Sequence, residues 1–351
     1  MKALFYSEHG AVDVLRFGDL PDPSIGPVDV VVEVAATAVN RLDIVQRIGW
    51  FTLPGFSLPH IAGMDMAGTI VEAGDKVTGL AVGDRVVVDP SLHAVHADSQ
   101  FAGHGDRYGE LGVLGATQPG GYGEFCAVSA DHVHRVPDDM PFATAAVFPT
   151  AWMTTFHGLF NVGQLTKGET LLLHGGASAL TLAAIQLARK AGARVLVSAT
   201  SDEKAAAAAA LGAVAANSTN TDIPDWVREH TQGKGADMVL DHVGTALWEM
   251  SLQSLAPRGR LVSCGNTTGD RASIPSLGFL FGRGIRILGS DAYDSADFAK
   301  VWQHYCGGVR LGHFDPKIAK TFAIADGRSA QALFESGKAL GRVVLLHETA
   351  G

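Results

Sequence analysis

A chain of 351 residues, 47% hydrophobic and carrying 42 glycines, has room for two domains with sizeable cores and is too apolar to be disordered. Its formal net charge of −9 argues against a nucleic-acid or anionic-membrane partner, since either needs a basic patch; small molecules are the expected partners. Three scattered cysteines, Cys126, Cys264 and Cys306, make neither a disulfide framework nor a zinc knuckle, and no apolar run is long enough for a signal peptide or a membrane span, so a cytoplasmic protein is expected.

From residue 1 to about 135, short apolar runs separated by Gly and Pro ("DVVVEVAATAVN", "MAGTIVEAG", "GDRVVVDP", "GEFCAVSA") predict a series of short strands and turns. From about 150 to about 290 the pattern becomes strand and helix in alternation. Six apolar runs are the predicted strands: 170–175, 193–199, 213–218, 236–243, 259–265 and 285–290. Between them lie helical segments such as 178–191, with Leu180, Ala184, Leu187 and Ala188 on one face, and the alanine-rich 202–211, which reads as a solvent-facing helix. Six strands with helical crossovers form a doubly wound parallel sheet whose ligand crevice lies beyond the carboxyl ends of the strands. The final stretch, 291–351, reads strand, helix, strand and is expected to return to the first domain.

The segments "VNRLD" (39–43), "GMDMAGTIVEAG" (63–74), "VGDRVVV" (82–88), "GGYGEF" (120–125), "FPTAWMT" (148–154), "DHVG" (241–244) and "GKALGRVVL" (337–345) lie in an order and spacing that resembles the medium-chain dehydrogenase/reductase superfamily along nearly the whole chain, on its zinc-independent quinone oxidoreductase and enoyl reductase side. The resemblance implies an α/β architecture: a GroES-like β-barrel domain (1–135), a doubly wound Rossmann domain (136–290) and a return to the barrel (291–351), with the active site in the cleft between. At the positions where the alcohol dehydrogenase branch holds its catalytic zinc stand Asn40, Met64 and Pro149 or Thr150. Amide and thioether do not replace thiolate and imidazole, so no zinc is expected. The loop 89–112 has the length of the family's structural-zinc lobe, but Ala94, Ala97, Gln100 and Tyr108 occupy the cysteine positions. His93, His96, His104, Asp98 and Asp106 offer other metal donors there; a solvated lobe without metal is the preferred reading.

"LLLHGGASALTLAAIQLARKAG" (171–192) has the layout of a nucleotide-binding strand, loop and helix, with most of its glycines replaced. Gly175 and Gly176 keep the tight turn, and Ser178, Ala179 and Leu180 lead into the helix, with residues 178 and 179 small enough for a pyrophosphate to approach the backbone. Thr181 stands at the last glycine of the family pattern, where a β-branched side chain is expected to push the helix off the strand and weaken, without abolishing, dinucleotide binding. At the end of the second strand Ala199 and Thr200 replace the usual acidic residue, and Ser201 and Lys204 suit a 2′-phosphate; with Asp202 the conflicting element, NADP(H) is favoured over NAD(H).

The resemblance further places Asn40 beside nicotinamide and substrate, Thr154 near the carboxamide, and His242, Val243, Cys264 and Gly265 along the cofactor channel. Asn40 is equally a turn residue, and Asp43, a candidate acid, is also a candidate helix cap. Trp50, Phe51, Phe56 and His60 form the candidate wall of an apolar substrate pocket. The expected function is a zinc-free, NADPH-dependent reductase of a quinone, enone or enoyl-type substrate, homodimeric through the strand 285–290. Its rivals are a redox-neutral isomerase, cyclase or lyase on the same scaffold and a non-catalytic binding protein.

Overall fold

The structure is a computed structural model and describes residues 1–92, 97–101, 105–106, 110–274, 276–294 and 297–348. The chain forms two compact units: Met1–Thr150 with Ala296–Arg310 and Ile318–Gly351, and Ala151–Ser295 with Leu311–Lys317. Among the described residues no helix is long and apolar enough to cross a membrane.

The first unit is built on a seven-stranded, mainly antiparallel sheet. Its strands run in the order Ile318–Ala323, Arg342–Leu346, Asp29–Ala38, Asp65–Ala73, Arg85–Val88 and Val133–Arg135, and Phe125–Ser129 also pairs with Asp29–Ala38. Alternation along the strands divides the apolar side chains between two cores. Val30, Val32, Val34, Met66, Ile70, Val86 and Val88 fill one; Leu4, Tyr6, Ile44, Tyr122, Val343 and Leu345 fill the other. The first crossing to the second unit falls at Thr150, later than the expected 135/136 boundary. The physical reason lies in Arg85, whose guanidinium donates to the carbonyls of Asp138 (2.6 Å) and Met140 (2.5 Å) and lies over the Phe142 ring. Phe148 extends this attachment, packing against Phe298, Trp302 and Tyr305 of the returning chain.

In the second unit all six predicted runs are strands of one parallel sheet, in the order Val214–Asn217, Arg194–Ala199, Thr170–His174, Ala236–Asp241, Leu255–Ser263 and Arg286–Gly289. The chain starts in the middle, winds outward to one edge, then returns and winds to the other. The order therefore reverses between Thr170–His174 and Ala236–Asp241, and the carboxyl ends of those two strands flank the crevice where such sheets bind ligands.

Helix Ala179–Lys190 is buried from Thr181 to Ala188, on more than the single face expected. Residues 311–317 account for part of this: Gln186 and Asp315 exchange hydrogen bonds, the Gln186 amide donating to the Asp315 carbonyl (3.0 Å) and the Asp315 N–H to Gln186 Oε1 (2.6 Å). Phe314 meanwhile packs on Trp152. The alanine-rich helix Asp202–Ala210 buries only Ala208, as a solvent-facing helix should.

Candidate functional site

The strand Thr170–His174 runs directly into the glycine turn. Gly175 (φ +83°) and Gly176 (φ +35°) both adopt left-handed backbone that residues with a Cβ avoid. A Cβ on Gly176 would lie 2.6 Å from the Ala199 Cβ and 3.0 Å from the Lys204 Cβ, so the turn is pressed onto the end of the neighbouring strand and the helix that follows it. Ser178 then caps helix Ala179–Lys190, its Oγ accepting from the Thr181 N–H at 3.1 Å. The amides of Ala179 and Leu180, in the first turn, have no helical acceptor, and no acidic side chain stands there to oppose an anion.

Thr181 bonds to the strand on which it was expected to act only as a wedge. It is fully buried, and its hydroxyl donates to the His174 carbonyl (2.5 Å) while accepting from Ser178 Oγ (2.8 Å). Its hydroxyl thus ties the helix to the end of the strand.

The direction of these bonds fixes the state of the neighbouring His242. Because the Ser178 hydroxyl is spent on Thr181, its contact with His242 Nε2 (3.2 Å) requires the ring to donate. The His242 Nδ1, beside the glycine turn, is left as a buried acceptor with no partner among the described residues. Burial holds the His242 pKa below the usual histidine range, which keeps the ring neutral.

Beneath the turn a second chain of hydrogen bonds crosses the sheet. The Ser198 hydroxyl donates to His174 Nδ1 (2.6 Å), His174 Nε2 donates to Ser251 Oγ (3.0 Å), and the Ser251 hydroxyl donates to Asp241 (2.7 Å). The other Asp241 oxygen accepts from the amides of Val243 (2.8 Å) and Gly244 (2.9 Å), shaping the loop that carries His242. Burial pushes the His174 pKa down to about 4, with nearby Asp241 opposing the shift.

At the end of the second strand, Ser201 caps the next helix, its Oγ accepting from the Lys204 N–H, and the Lys204 ammonium rests on Thr200 Oγ1 at 3.1 Å. Asp202 turns the other way, accepting from the Asn217 amide at 2.9 Å. Cys264 donates its backbone N–H to the Asp241 carbonyl (2.8 Å), and burial pushes its thiol up, so it is no thiolate. A Cβ on Gly265 would lie 3.1 Å from the His242 carbonyl. Gly175, Gly176, Ser178, Ala179, Leu180, Ser201, Lys204, His242, Val243, Cys264 and Gly265 thus lie around the carboxyl end of one parallel sheet. Thr154 lies partly buried on helix Pro149–Phe156.

In the first unit Asn40 precedes helix Arg41–Arg47 as its N-cap and forms a capping box with Asp43. The Asp43 carboxylate accepts from the Asn40 N–H (2.8 Å) and the Tyr122 hydroxyl (3.1 Å) and is fully buried. Asp43 is therefore the third residue of the helix, one half of the box, and not the cap itself. Burial raises its pKa to about 7, with those two hydrogen bonds opposing the rise. Asn40 Oδ1 accepts from Arg342 Nη1 at 3.0 Å, and Arg342 pairs through Nη2 with the fully buried Asp65.

The four candidate pocket residues divide. Phe56 and His60 join Tyr6 and His9 in an aromatic cluster, and His60 Nε2 donates to the Gly115 carbonyl at 3.1 Å, with burial taking its pKa down to about 4. Trp50 and Phe51 are half exposed, at 53% and 50%. The donors standing where zinc would bind are an amide, a thioether and a hydroxyl: Asn40 is engaged by Arg342, Met64 is buried, and Thr150 donates to Asp65. They do not suit zinc. Among the described residues no group of three or more His, Cys, Asp and Glu could hold a metal ion. His93, His96, His104 and Tyr108, invoked for the lobe, lie outside the described residues, whereas Asp98 pairs with Lys76 (2.7 Å).

Sequence reasoning missed Arg342, Asp65, His174 and Asp241. Each is a polar residue within or at the end of an apolar run, and that was the available signal.

Residues 26–138 match the family model of the alcohol dehydrogenase GroES-like domain, and residues 179–305 that of the zinc-binding dehydrogenase. A quinone oxidoreductase of Pseudomonas aeruginosa is 30% identical, the match covering 98% of this chain and 99% of that protein. Among solved structures, an NAD-dependent alcohol dehydrogenase superposes with a TM-score of 0.88 at 30% identity, covering 99% of each chain. Mycobacterial Rv1454c, solved in complex with NADPH, gives 0.83 at 27% identity, covering 99% of this chain and 100% of that one.

Proposed function

The chain belongs to the medium-chain dehydrogenase/reductase superfamily, with its GroES-like domain and Rossmann-type parallel sheet, and from that premise we propose that it is a zinc-free reductase drawing on NADPH to reduce a quinone, enone or enoyl-type substrate. The observation that carries this reading is the glycine turn. Left-handed Gly175 and Gly176, the open amides of Ala179 and Leu180 and the orphaned acceptor on His242 form a setting that suits a pyrophosphate and its sugars. Thr181, as a tie between helix and strand, supports the loop.

When bound, the cofactor supplies the hydride, and the rest falls to the chain. Lys204, held against Gly176, offers a point charge to a 2′-phosphate, and Ser201 a hydroxyl beside it. Asp202, the residue that would repel that phosphate, is occupied by Asn217. Asn40 offers an amide N–H to the substrate carbonyl, where negative charge develops as a conjugated carbon–carbon double bond is reduced. Tyr122 and His60, both buried and hydrogen-bonded, take no part in the chemistry on this reading.

Calorimetric titration with NADPH and NADH tests the reading. Micromolar binding of NADPH is expected, and Lys204→Ala should weaken it about tenfold or more while leaving NADH unchanged, the loss expected when a charge-assisted hydrogen bond is removed. Equal losses for both cofactors would remove the preference for NADPH. Failure of either to bind the unmutated protein would end the reductase reading in favour of cofactor-free chemistry.

The reading includes a homodimer paired through Arg286–Gly289, an edge strand of the parallel sheet. Helix Leu277–Arg283, just before it, exposes Leu277 (71%) and Phe281 (81%) one turn apart, an arrangement typical of a buried contact. Light scattering should report twice the 36.7 kDa chain mass for the unmutated protein and a single chain mass for Phe281→Asp. A monomeric unmutated protein would refute the pairing.

A further inference from the structure

We infer that Arg342 is a positioning residue for Asn40, fixing which end of its amide is free and so making Asn40 a hydrogen-bond donor to the substrate carbonyl. This rests on the reading of Asn40 as the group that meets the substrate.

A primary amide has two ends of nearly equal size and opposite character, and what surrounds it decides which end faces a ligand. A guanidinium only donates, so the Asn40 atom 3.0 Å from Arg342 Nη1 is the oxygen. The capping box turns the same oxygen toward the Asp43 N–H. The oxygen end is thus committed within the protein. Asn40 Nδ2 donates one N–H to the Ala38 carbonyl (3.2 Å), and its second N–H has no acceptor among the described residues.

Arg342 is itself held. It is 5% exposed, and its Nη2 pairs with Asp65, whose other oxygen accepts from Thr150 N–H (2.8 Å) and Oγ1 (2.6 Å). Strand register brings the parts together. Ala38 pairs with Val344 on one side and Asp65 on the other, which sets the end of the strand leading to Asn40 between the strands carrying the cation and the anion. The two arms of the guanidinium do separate jobs, one anchoring to Asp65 and one orienting Asn40. A lysine keeps the charge for Asp65 but cannot span both partners in a fixed fork. If the amide turned over, it would present oxygen to the substrate's oxygen, and repulsion would replace stabilisation.

The test is a double-mutant cycle with NADPH and two probe substrates, 1,4-benzoquinone and 2-cyclohexenone, on the unmutated protein, Asn40→Ala, Arg342→Lys and the double variant. Removing one donor to a developing oxyanion lowers kcat by about 10²-fold, the loss expected for Asn40→Ala. For Arg342→Lys we expect about a tenfold loss in kcat with the KM for NADPH unchanged, and less than about a twofold further loss when it is added to Asn40→Ala, because a residue acting through another has nothing to add once that one is gone. An equal loss from Arg342→Lys in both backgrounds would overturn the inference. Undiminished kcat in Asn40→Ala would remove the role of Asn40 on which the inference rests, and no turnover of either probe by the unmutated protein would instead count against the proposed function. Urea unfolding of the same four proteins gives a cofactor-free reading: non-additive midpoint shifts are expected, and additive shifts would deny the contact. Should Arg342→Lys fail to fold, Asn40→Asp decides, since it keeps a partner for Arg342 and presents only oxygen. It should lose as much kcat as Asn40→Ala, and retained activity would refute the donor role.

Discussion

Replacing Asp65 with alanine should lower the free energy of unfolding by about 3–5 kcal/mol, the cost of removing one partner from a buried ion pair. Asp65 is fully buried and Arg342 is 5% exposed, so water cannot replace the lost carboxylate. The vacated site would leave the guanidinium with its charge uncompensated and deprive the Thr150 N–H and hydroxyl of their acceptor. Asp65→Asn keeps an acceptor for Thr150 and should cost less, which separates the charge from the hydrogen bonds. Urea denaturation followed by circular dichroism measures both. A loss below about 1 kcal/mol for the alanine variant would put the pair in the class of solvated surface bridges.

Stability should also fall as pH rises from about 4 to 7 through Asp43 alone. Burial holds this carboxyl at about 7 in the folded chain, well above the ordinary aspartate value of 3.8, so the native state keeps a proton that the unfolded chain releases. Its contribution is complete below the unfolded pKa and is lost as pH climbs through the folded one. A difference of this size corresponds to at most about 4 kcal/mol. His60 and His174 act in the opposite sense: buried neutral with pKa values near 4, they add stability as pH rises from about 4 towards 6.5. The total pH profile therefore hides the effect. The informative measurement is the difference between the unmutated protein and Asp43→Asn, with urea midpoints taken at pH 5 and pH 8. The difference should move in favour of the variant at the higher pH, and a constant difference would mean that Asp43 ionises normally.

The parallel sheet was legible because its central strands, Thr170–His174, Arg194–Ala199 and Ala236–Asp241, are buried almost throughout, so each reads as a nearly continuous apolar run. Gly175 and Gly176 were legible because left-handed turns leave few alternatives to glycine. The tie made by Thr181 was not legible, for a reason that sequence does not carry. Its bulk was visible, whereas the His174 carbonyl that gives its hydroxyl a partner is placed only by the fold. Arg342 and Asp65 lie far apart along the chain, and only strand pairing makes them neighbours. Trp50 and Phe51 show the converse, since aromatic residues in a glycine- and proline-broken loop look the same in sequence whether they line a pocket or face solvent.

The hydrogen bonds from Ser198 through His174 and Ser251 to Asp241 have a consequence best put in the language of ices. Each proton has one permitted position, because the carboxylate at the end of the chain can only accept and every earlier link must point towards it. The arrangement is proton-ordered, with none of the residual entropy of a network whose hydroxyls can reverse together. The three hydrogen bonds therefore share one sense, from Ser198 towards Asp241, which thermal reorientation cannot reverse.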